Sequence, residues 1–232
     1  MTDSAFDNYS EAYDVALAEG LSVTGEDKAF FARGRIAWLA TCLGRLGKYP
    51  KSIIDFGCGI GSATPYLFDL LGAEIVHGVD VSRQCLQVAE QTWGSEKAKF
   101  MALDQYEPGG NIDLAFCNGV FHHIAPDDRS AAVGFVYGSL RPGALFAMWE
   151  NNPWNPGTRY VMSRCPFDKD AKMLRPSEAR RMLHAAGFEI ISTTFMFIFP
   201  RSLGWMRGIE PLLSRLPIGG QYQVLCRKPD AR

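Results

Sequence analysis

No run of about 18 apolar residues occurs anywhere in the chain, which excludes a membrane-spanning helix. Nor does the chain open on a charged-then-apolar leader with a small-residue cleavage site, so a cytoplasmic location is expected. The cysteines Cys42, Cys58, Cys85, Cys117, Cys165 and Cys226 include no CxxC pair, and no His/Cys cluster has the short spacing of a zinc site. Neither a bound metal nor a disulfide framework is therefore expected. Charge of one sign is also missing. A formal net charge of -1 argues against a nucleic-acid backbone as the main partner, because such partners select basic stripes. Arg201, Arg207 and Arg215 are spaced through one stretch and read as a solvated helix face. Repeats and low-complexity tracts are absent.

What remains is an ordinary globular composition. An apolar fraction of 47% and a charged fraction of 21% make extensive disorder improbable, and 232 residues suit one α/β domain. Residues 6–46 read as helical with a break near 20–25; beyond it Ala29, Ala32, Ile36, Leu39 and Leu43 form one apolar face. Short β-rich runs are then expected at 52–56, 74–79, 99–102, 112–117 and 144–149. Helices are expected between them at 62–71, 82–92 and 126–140, with Ser62 and Ser82 as N-caps, Pro65 in a first turn, and Arg141-Pro142-Gly143 as a turn. A long irregular stretch at 151–176 precedes a helix at 177–186, which Gly187 should end. Strands at 188–199 and 221–226 close the pattern, around an amphipathic helix at 203–216 that Pro211 should kink or split. Such a helix most often packs on its own domain, and it could also form a wall for a lipid-like acceptor or touch a membrane surface.

Strands alternating with helices imply a mostly parallel sheet covered on both faces, with ligands at its carboxyl edge where strand order reverses. Two features meet that rule. Asp55-Phe56-Gly57-Cys58-Gly59-Ile60-Gly61 follows the first strand directly, and Asp80 ends the second strand. Glycines let backbone approach a ligand, and a carboxylate in the position of Asp80 can accept from both hydroxyls of an adenosine ribose. Dinucleotide and S-adenosylmethionine sites share this layout. A dinucleotide site wants G-x-G-x-x-G, but Ser62 stands where the third glycine should be. Asp55 beside the loop suits a cation better than a diphosphate, and S-adenosylmethionine carries a sulfonium and an ammonium.

Residues 54–61 resemble the first motif of class I S-adenosylmethionine-dependent methyltransferases, in particular the small-molecule group that includes ubiquinone and menaquinone methyltransferases. The similarity continues in order along the chain. Phe6-Asp7-Asn8-Tyr9 with Ala12-Tyr13-Asp14 resembles the family's N-terminal segment, and Asp104-Gln105 its acidic adenine-contact motif. Asn118-Gly119-Val120-Phe121-His122-His123-Ile124, Leu140-Arg141-Pro142-Gly143 and Ala185-Ala186-Gly187-Phe188 match later elements. The resemblance implies a single Rossmann-like domain with a seven-stranded, mostly parallel sheet, its last strand antiparallel, and an N-terminal helical segment. Within it, residues 1–48 would form a helical cap, 49–150 the cofactor-binding half, 151–176 an insertion or lid, and 177–232 the rest of the sheet. It implies S-adenosylmethionine as the cofactor. Asp55, Gly57, Cys58 and Gly59 would line its methionine portion, Asp80 its ribose, Val81, Asp104 and Gln105 its adenine, and Asn118 its ammonium. Tyr13 would close over the site.

Methyl transfer needs placement of the nucleophile, and a base only where the acceptor must lose a proton. His122 and His123 are the candidate bases at the functional edge, and His122 is preferred because His123 matches a position the family fills with histidine. Glu150 ends a strand and should approach the same pocket. Arg33 or Arg35 could pair with the cofactor's carboxylate. Within 151–176, Arg159 or Arg164 could pair with Asp168 or Asp170, or the stretch could bind the acceptor. The expected partner is a small-molecule acceptor taking the methyl group on oxygen or nitrogen, with no nucleic acid and no stable membrane insertion. A non-catalytic cofactor-binding protein and a nicotinamide-dependent oxidoreductase are the alternatives.

Overall fold

The computed structural model describes residues 24–165 and 171–230. Seven strands form one sheet: β1 (Ser52–Phe56), β2 (Ile75–Asp80), β3 (Ala98–Ala102), β4 (Ile112–Asn118), β5 (Leu140–Asn151), β6 (Glu189–Met196) and β7 (Gln221–Arg227). Their order is β3-β2-β1-β4-β5-β7-β6. The first five pair in parallel, and β7 runs antiparallel to both of its neighbours. Strand order reverses between β1 and β4, the place where ligands enter such sheets.

The period of two along the central strands sends their apolar side chains into two main cores, and a smaller cluster of Cys58, Leu86 and Ala102 lies beside β3. Ile53, Leu114, Phe116, Leu145, Ala147 and Trp149 face helix α1 (Lys28–Arg45) and helix α2 (Thr64–Leu71). Ile54, Ala115, Cys117, Phe146 and Met148 face the other way, onto α4 (Arg129–Ser139) and α6 (Pro176–Ala185). Between them in sequence come α3 (Arg83–Trp93), beside β2 and β3, and α5 (Pro156–Arg164). The short α7 (Glu210–Leu213) follows a 3-10 segment, Arg201–Ile209.

Three local expectations are corrected. Ser62 does not cap α2; the helix starts after Ala63, which makes no side-chain cap bond, because a tight turn closed by Gly61 N–H to Cys58 C=O uses the preceding residues. Arg141-Pro142-Gly143 does not precede β5 but lies inside it, since Leu140 already pairs with Ile112 and the Gly143 N–H reaches Lys228 C=O. The stretch after β5 contains α5, capped by Asn155, whose side chain accepts from the Thr158 N–H at 2.9 Å. The 201–213 stretch is split near Pro211, as expected, into a 3-10 segment and α7. Ser82, by contrast, caps α3 as its sequence position implies, accepting from the Cys85 N–H at 3.2 Å. Tyr9, Tyr13, Asp168 and Asp170 lie outside the described residues.

Candidate active site

A cavity of about 980 Å³ opens at the carboxyl ends of β1 and β4. The turn after β1 forms its floor. Gly57 adopts φ 71° and Gly59 φ 53°, the left-handed region in which glycine carries no penalty. A Cβ on Gly57 would stand 2.3 Å from Val120, whereas one on Gly59 would meet nothing within 4 Å and would project into open space. The first glycine is thus needed by packing, and the second leaves backbone bare toward a ligand. Gly57→Ala is expected to lower the melting temperature by several degrees and to weaken cofactor binding, since clash and strain together cost roughly 2–4 kcal/mol. Differential scanning fluorimetry checks this; a variant as stable as the parent refutes it.

Asp80 fastens that turn to the start of α3. Its carboxylate accepts from the Gly59 N–H at 2.7 Å and the Ser82 N–H at 2.9 Å. Asp55, in the middle of the sheet and only 3% exposed, is the second carboxylate on the cavity wall. Burial, and then the charge of Asp80, push its carboxyl up to about 7, with Arg35 pulling in the opposite direction. Two nearby carboxylates in a half-enclosed site call for a cationic ligand. The Asn118 Oδ1 at the end of β4 is buried without a hydrogen-bond partner and is suited to a ligand N–H. Cavity, bare glycine turn, paired acids and orphaned amide oxygen together fit S-adenosylmethionine.

A titratable Asp55 makes binding depend on pH. A cation favours the ionised carboxylate, so binding below about pH 7 must first remove a proton. Affinity for S-adenosylmethionine is expected to rise with pH and to level off above about 7, with net proton release on binding near neutrality. Calorimetry in buffers of different ionisation enthalpy measures that release. A dissociation constant independent of pH between about 6 and 8 contradicts the assignment.

In the loop after β4 His122, 4% exposed, directs Nδ1 to Glu150 Oε2 at 2.6 Å. The other oxygen of Glu150 accepts from the Phe121 N–H at 2.8 Å, so one carboxylate sets both the loop after β4 and the imidazole. His122 lines the cavity, while Glu150 is fully buried behind it and does not. The rings of His122 and His123 sit 4.1 Å apart, and both line the cavity.

Cys58, Val81 and Asn118 join Asp55, Gly57, Gly59 and Asp80 on the wall. Burial pushes the Cys58 thiol well up, which makes it an inert packing group there. Asp104 and Gln105 do not line this cavity. Both are exposed in a 3-10 turn after β3, where Asp104 meets Arg83 at 3.2 Å, and Leu103 takes the place at the wall. Arg33 is exposed, whereas Arg35 is buried at the wall and donates to the Gln221 Oε1 at 2.9 Å.

Sequence reasoning missed the far wall. Phe30 and Phe31 from α1, Phe197 and Phe199 from the loop after β6, and Arg207 all border the cavity. Phe197 has φ 63°, a strained conformation for a side chain of its size, and its ring packs 5.0 Å from that of Phe31. The buried carboxylate of Glu210 holds this loop, accepting from the N–H groups of Phe197, Ile198 and Phe199 at 3.2, 3.1 and 3.0 Å. Arg207 is not part of a solvated face. It pairs with Glu26 at 2.8 Å, donates to the Phe199 C=O, and lies 4.4 Å over the Phe30 ring. The segment after β5 is tied in equally firmly: Asn152 donates to the Gly219 C=O at 2.7 Å, and Asn155 to the Ile218 C=O at 2.7 Å.

Residues 54–146 match a family model described as a methyltransferase domain. Trans-aconitate 2-methyltransferase of Rhodopseudomonas palustris (strain BisB5) is 27% identical over 140 residues, covering 60% of this chain and 54% of that protein. The enzyme of the same name from Azoarcus sp. (strain BH72) is 24% identical over 181 residues, covering 71% of each. The chain spans about half the length of the Rhodopseudomonas relative, and 27% of that of a further relative from Synechococcus. Among solved structures, the 1,6-didemethyltoxoflavin-N1-methyltransferase of Burkholderia thailandensis superposes with a TM-score of 0.62 at 19% identity, over 99% of this chain and 92% of that one. Its likeness is one of fold.

Proposed function

We propose that this chain, a class I S-adenosylmethionine-dependent methyltransferase, places a small acceptor between the cofactor and His122 and methylates it on oxygen or nitrogen. The cofactor is S-adenosylmethionine, which when bound supplies a methyl carbon already activated toward nucleophiles. The observation that carries the acceptor half is the buried His122–Glu150 pair at 2.6 Å, with His122 on the wall of the same cavity as the glycine turn. With Nδ1 engaged by a carboxylate, Nε2 becomes the basic nitrogen of the ring. That arrangement takes a proton from an acceptor hydroxyl or ammonium, and Glu150 stabilises the imidazolium that results. Glu150 acts through His122 and is a positioning residue.

The remaining residues divide by side of the cavity. Asp55, Gly57, Gly59 and Asp80 would hold the cofactor, with Val81 and Leu103 beside the adenine and Asn118 near the ammonium. The phenylalanines of α1 and of the loop after β6 would enclose the acceptor, with Arg207 as their polar member. A largely aromatic wall with the guanidinium of Arg207 on it suits a flat or partly apolar acceptor that carries an oxygen acid or carbonyl. Two of the relatives are named for methylation of trans-aconitate, a polycarboxylate, which agrees with a cationic group on that wall. The test is S-adenosylhomocysteine release over a panel of hydroxyl-, amine- and carboxylate-bearing acceptors. Cofactor binding with no turnover on any of them would support a binding protein instead.

A further inference from the structure

Among the described residues, twelve large apolar side chains stand exposed, and half of them fall between positions 203 and 218: Leu203, Trp205, Ile209, Leu212, Leu216 and Ile218. Trp205 is 82% exposed and Leu212 84% exposed. Isolated exposed leucines are commonplace, but this concentration in one short stretch is not. The charges of the stretch are one-sided as well. Arg201 and Arg215 are exposed, whereas its single acid, Glu210, is 6% exposed and turned inward to the backbone N–H groups of Phe197, Ile198 and Phe199. The exposed side chains of this stretch therefore include tryptophan, leucine, isoleucine and arginine, with no exposed carboxylate among them, Arg201 also donating to the Gly25 C=O at 3.3 Å.

We propose that this face docks the protein peripherally on an anionic lipid surface. Tryptophan and leucine enter the headgroup boundary, arginine pairs with lipid phosphate, and a 3-10 segment with a short helix lies along the interface instead of crossing it. No helix among the described residues is long and apolar enough to cross a membrane, so contact through this face would be superficial. The charge pattern selects lipid over protein as the occupant, since an anionic surface satisfies both arginines at once while the apolar side chains leave water. The docking stretch is also continuous with the cavity: Arg207 and the 197–200 loop, which Glu210 holds, border it. On the proposed methyl-transfer reading, an acceptor dissolved at the interface would reach the site without crossing bulk water.

Co-sedimentation of the full chain with large unilamellar vesicles tests the proposal. Vesicles of equimolar phosphatidylcholine and phosphatidylglycerol are expected to pellet the protein, pure phosphatidylcholine far less, and high salt to release it. W205S/L212S should weaken partitioning roughly tenfold or more. Both positions are so exposed that circular dichroism, melting temperature and S-adenosylhomocysteine binding should match the parent. R201Q/R215Q, made separately, should remove the preference for the anionic lipid. No binding to either vesicle overturns the proposal, as does binding that W205S/L212S leaves intact. A concentration-dependent dimer in sedimentation velocity, broken by W205S/L212S, would overturn it in favour of a second copy of the chain. Failure here leaves the methyl-transfer reading standing, because that reading rests on turnover and this one on partitioning.

Discussion

Asp80→Ala is expected to weaken S-adenosylmethionine binding by roughly two orders of magnitude. A carboxylate that accepts from two ribose hydroxyls contributes about 3 kcal/mol, and each 1.4 kcal/mol is about tenfold in Kd. The side chain has a second duty, because it already ties the Gly59 and Ser82 N–H groups together. Its loss should therefore loosen the glycine turn as well as remove the ribose partner. The two contributions separate by substitution. Asp80→Asn keeps one acceptor oxygen for the turn but loses the charge, so it should retain most of the thermal stability while still binding poorly. Calorimetry with S-adenosylmethionine and a melting curve decide the matter. Unchanged affinity in the alanine variant would remove Asp80 from the binding site and leave it as a loop fastener.

The second large effect concerns the loop after β4. His122→Ala should lower kcat by about 100- to 10,000-fold on an acceptor that must lose a proton, the usual contribution of a positioned base. Cofactor affinity should change little, because the imidazole borders the acceptor side of the cavity. Glu150→Gln should give a smaller loss, roughly tenfold to a hundredfold, since it leaves the ring in place but removes the charge that stabilises imidazolium. A more acidic acceptor, already deprotonated at working pH, should partly rescue His122→Ala and not a variant damaged in cofactor binding. That rescue is the discriminating readout. An alanine variant that turns over as fast as the parent on every acceptor would assign His122 to loop structure alone.

Much of the cofactor half was legible in the residues themselves because its signals are local. β1, β4 and the core of β5 are central parallel strands buried on both faces, so they read as short apolar runs. Ser82 precedes a helix by one position and caps it, which needs no information beyond a single turn. Gly57 and Gly59 sit in a turn whose backbone geometry only glycine adopts freely, directly after the strand that carries Asp55. The errors have the opposite character. Helix α5 has a single buried residue, Met162, hence no apolar stripe to betray it, and its position comes from Asn152 and Asn155 gripping backbone more than sixty residues away. The early start of β5 depends on pairing with Ile112 and on the Lys228 carbonyl. Asp104, placed near the adenine by its motif, is a separate case: its carboxylate meets Arg83 in the 3-10 turn after β3, Leu103 lies at the wall, and its role stays a proposal.

The sequence alone determined the alternation of strands and helices, the glycine turn and the acid at the end of β2, and through them the class of cofactor. Each of those is written within one strand, one turn or one strand-to-helix step, where covalent geometry and local hydrogen bonding decide the outcome. Only the tertiary structure joined His122 to Glu150 across 28 positions, brought α1 against the loop after β6, and moved Arg207 from an assumed solvated face to a seat on Phe30. Those contacts depend on strand order and register, which place distant residues side by side at distances no local pattern encodes. The wall formed by Phe30, Phe31, Phe197, Phe199 and Arg207 consists almost wholly of such contacts, which is why composition and motifs pointed to the cofactor and not to that wall.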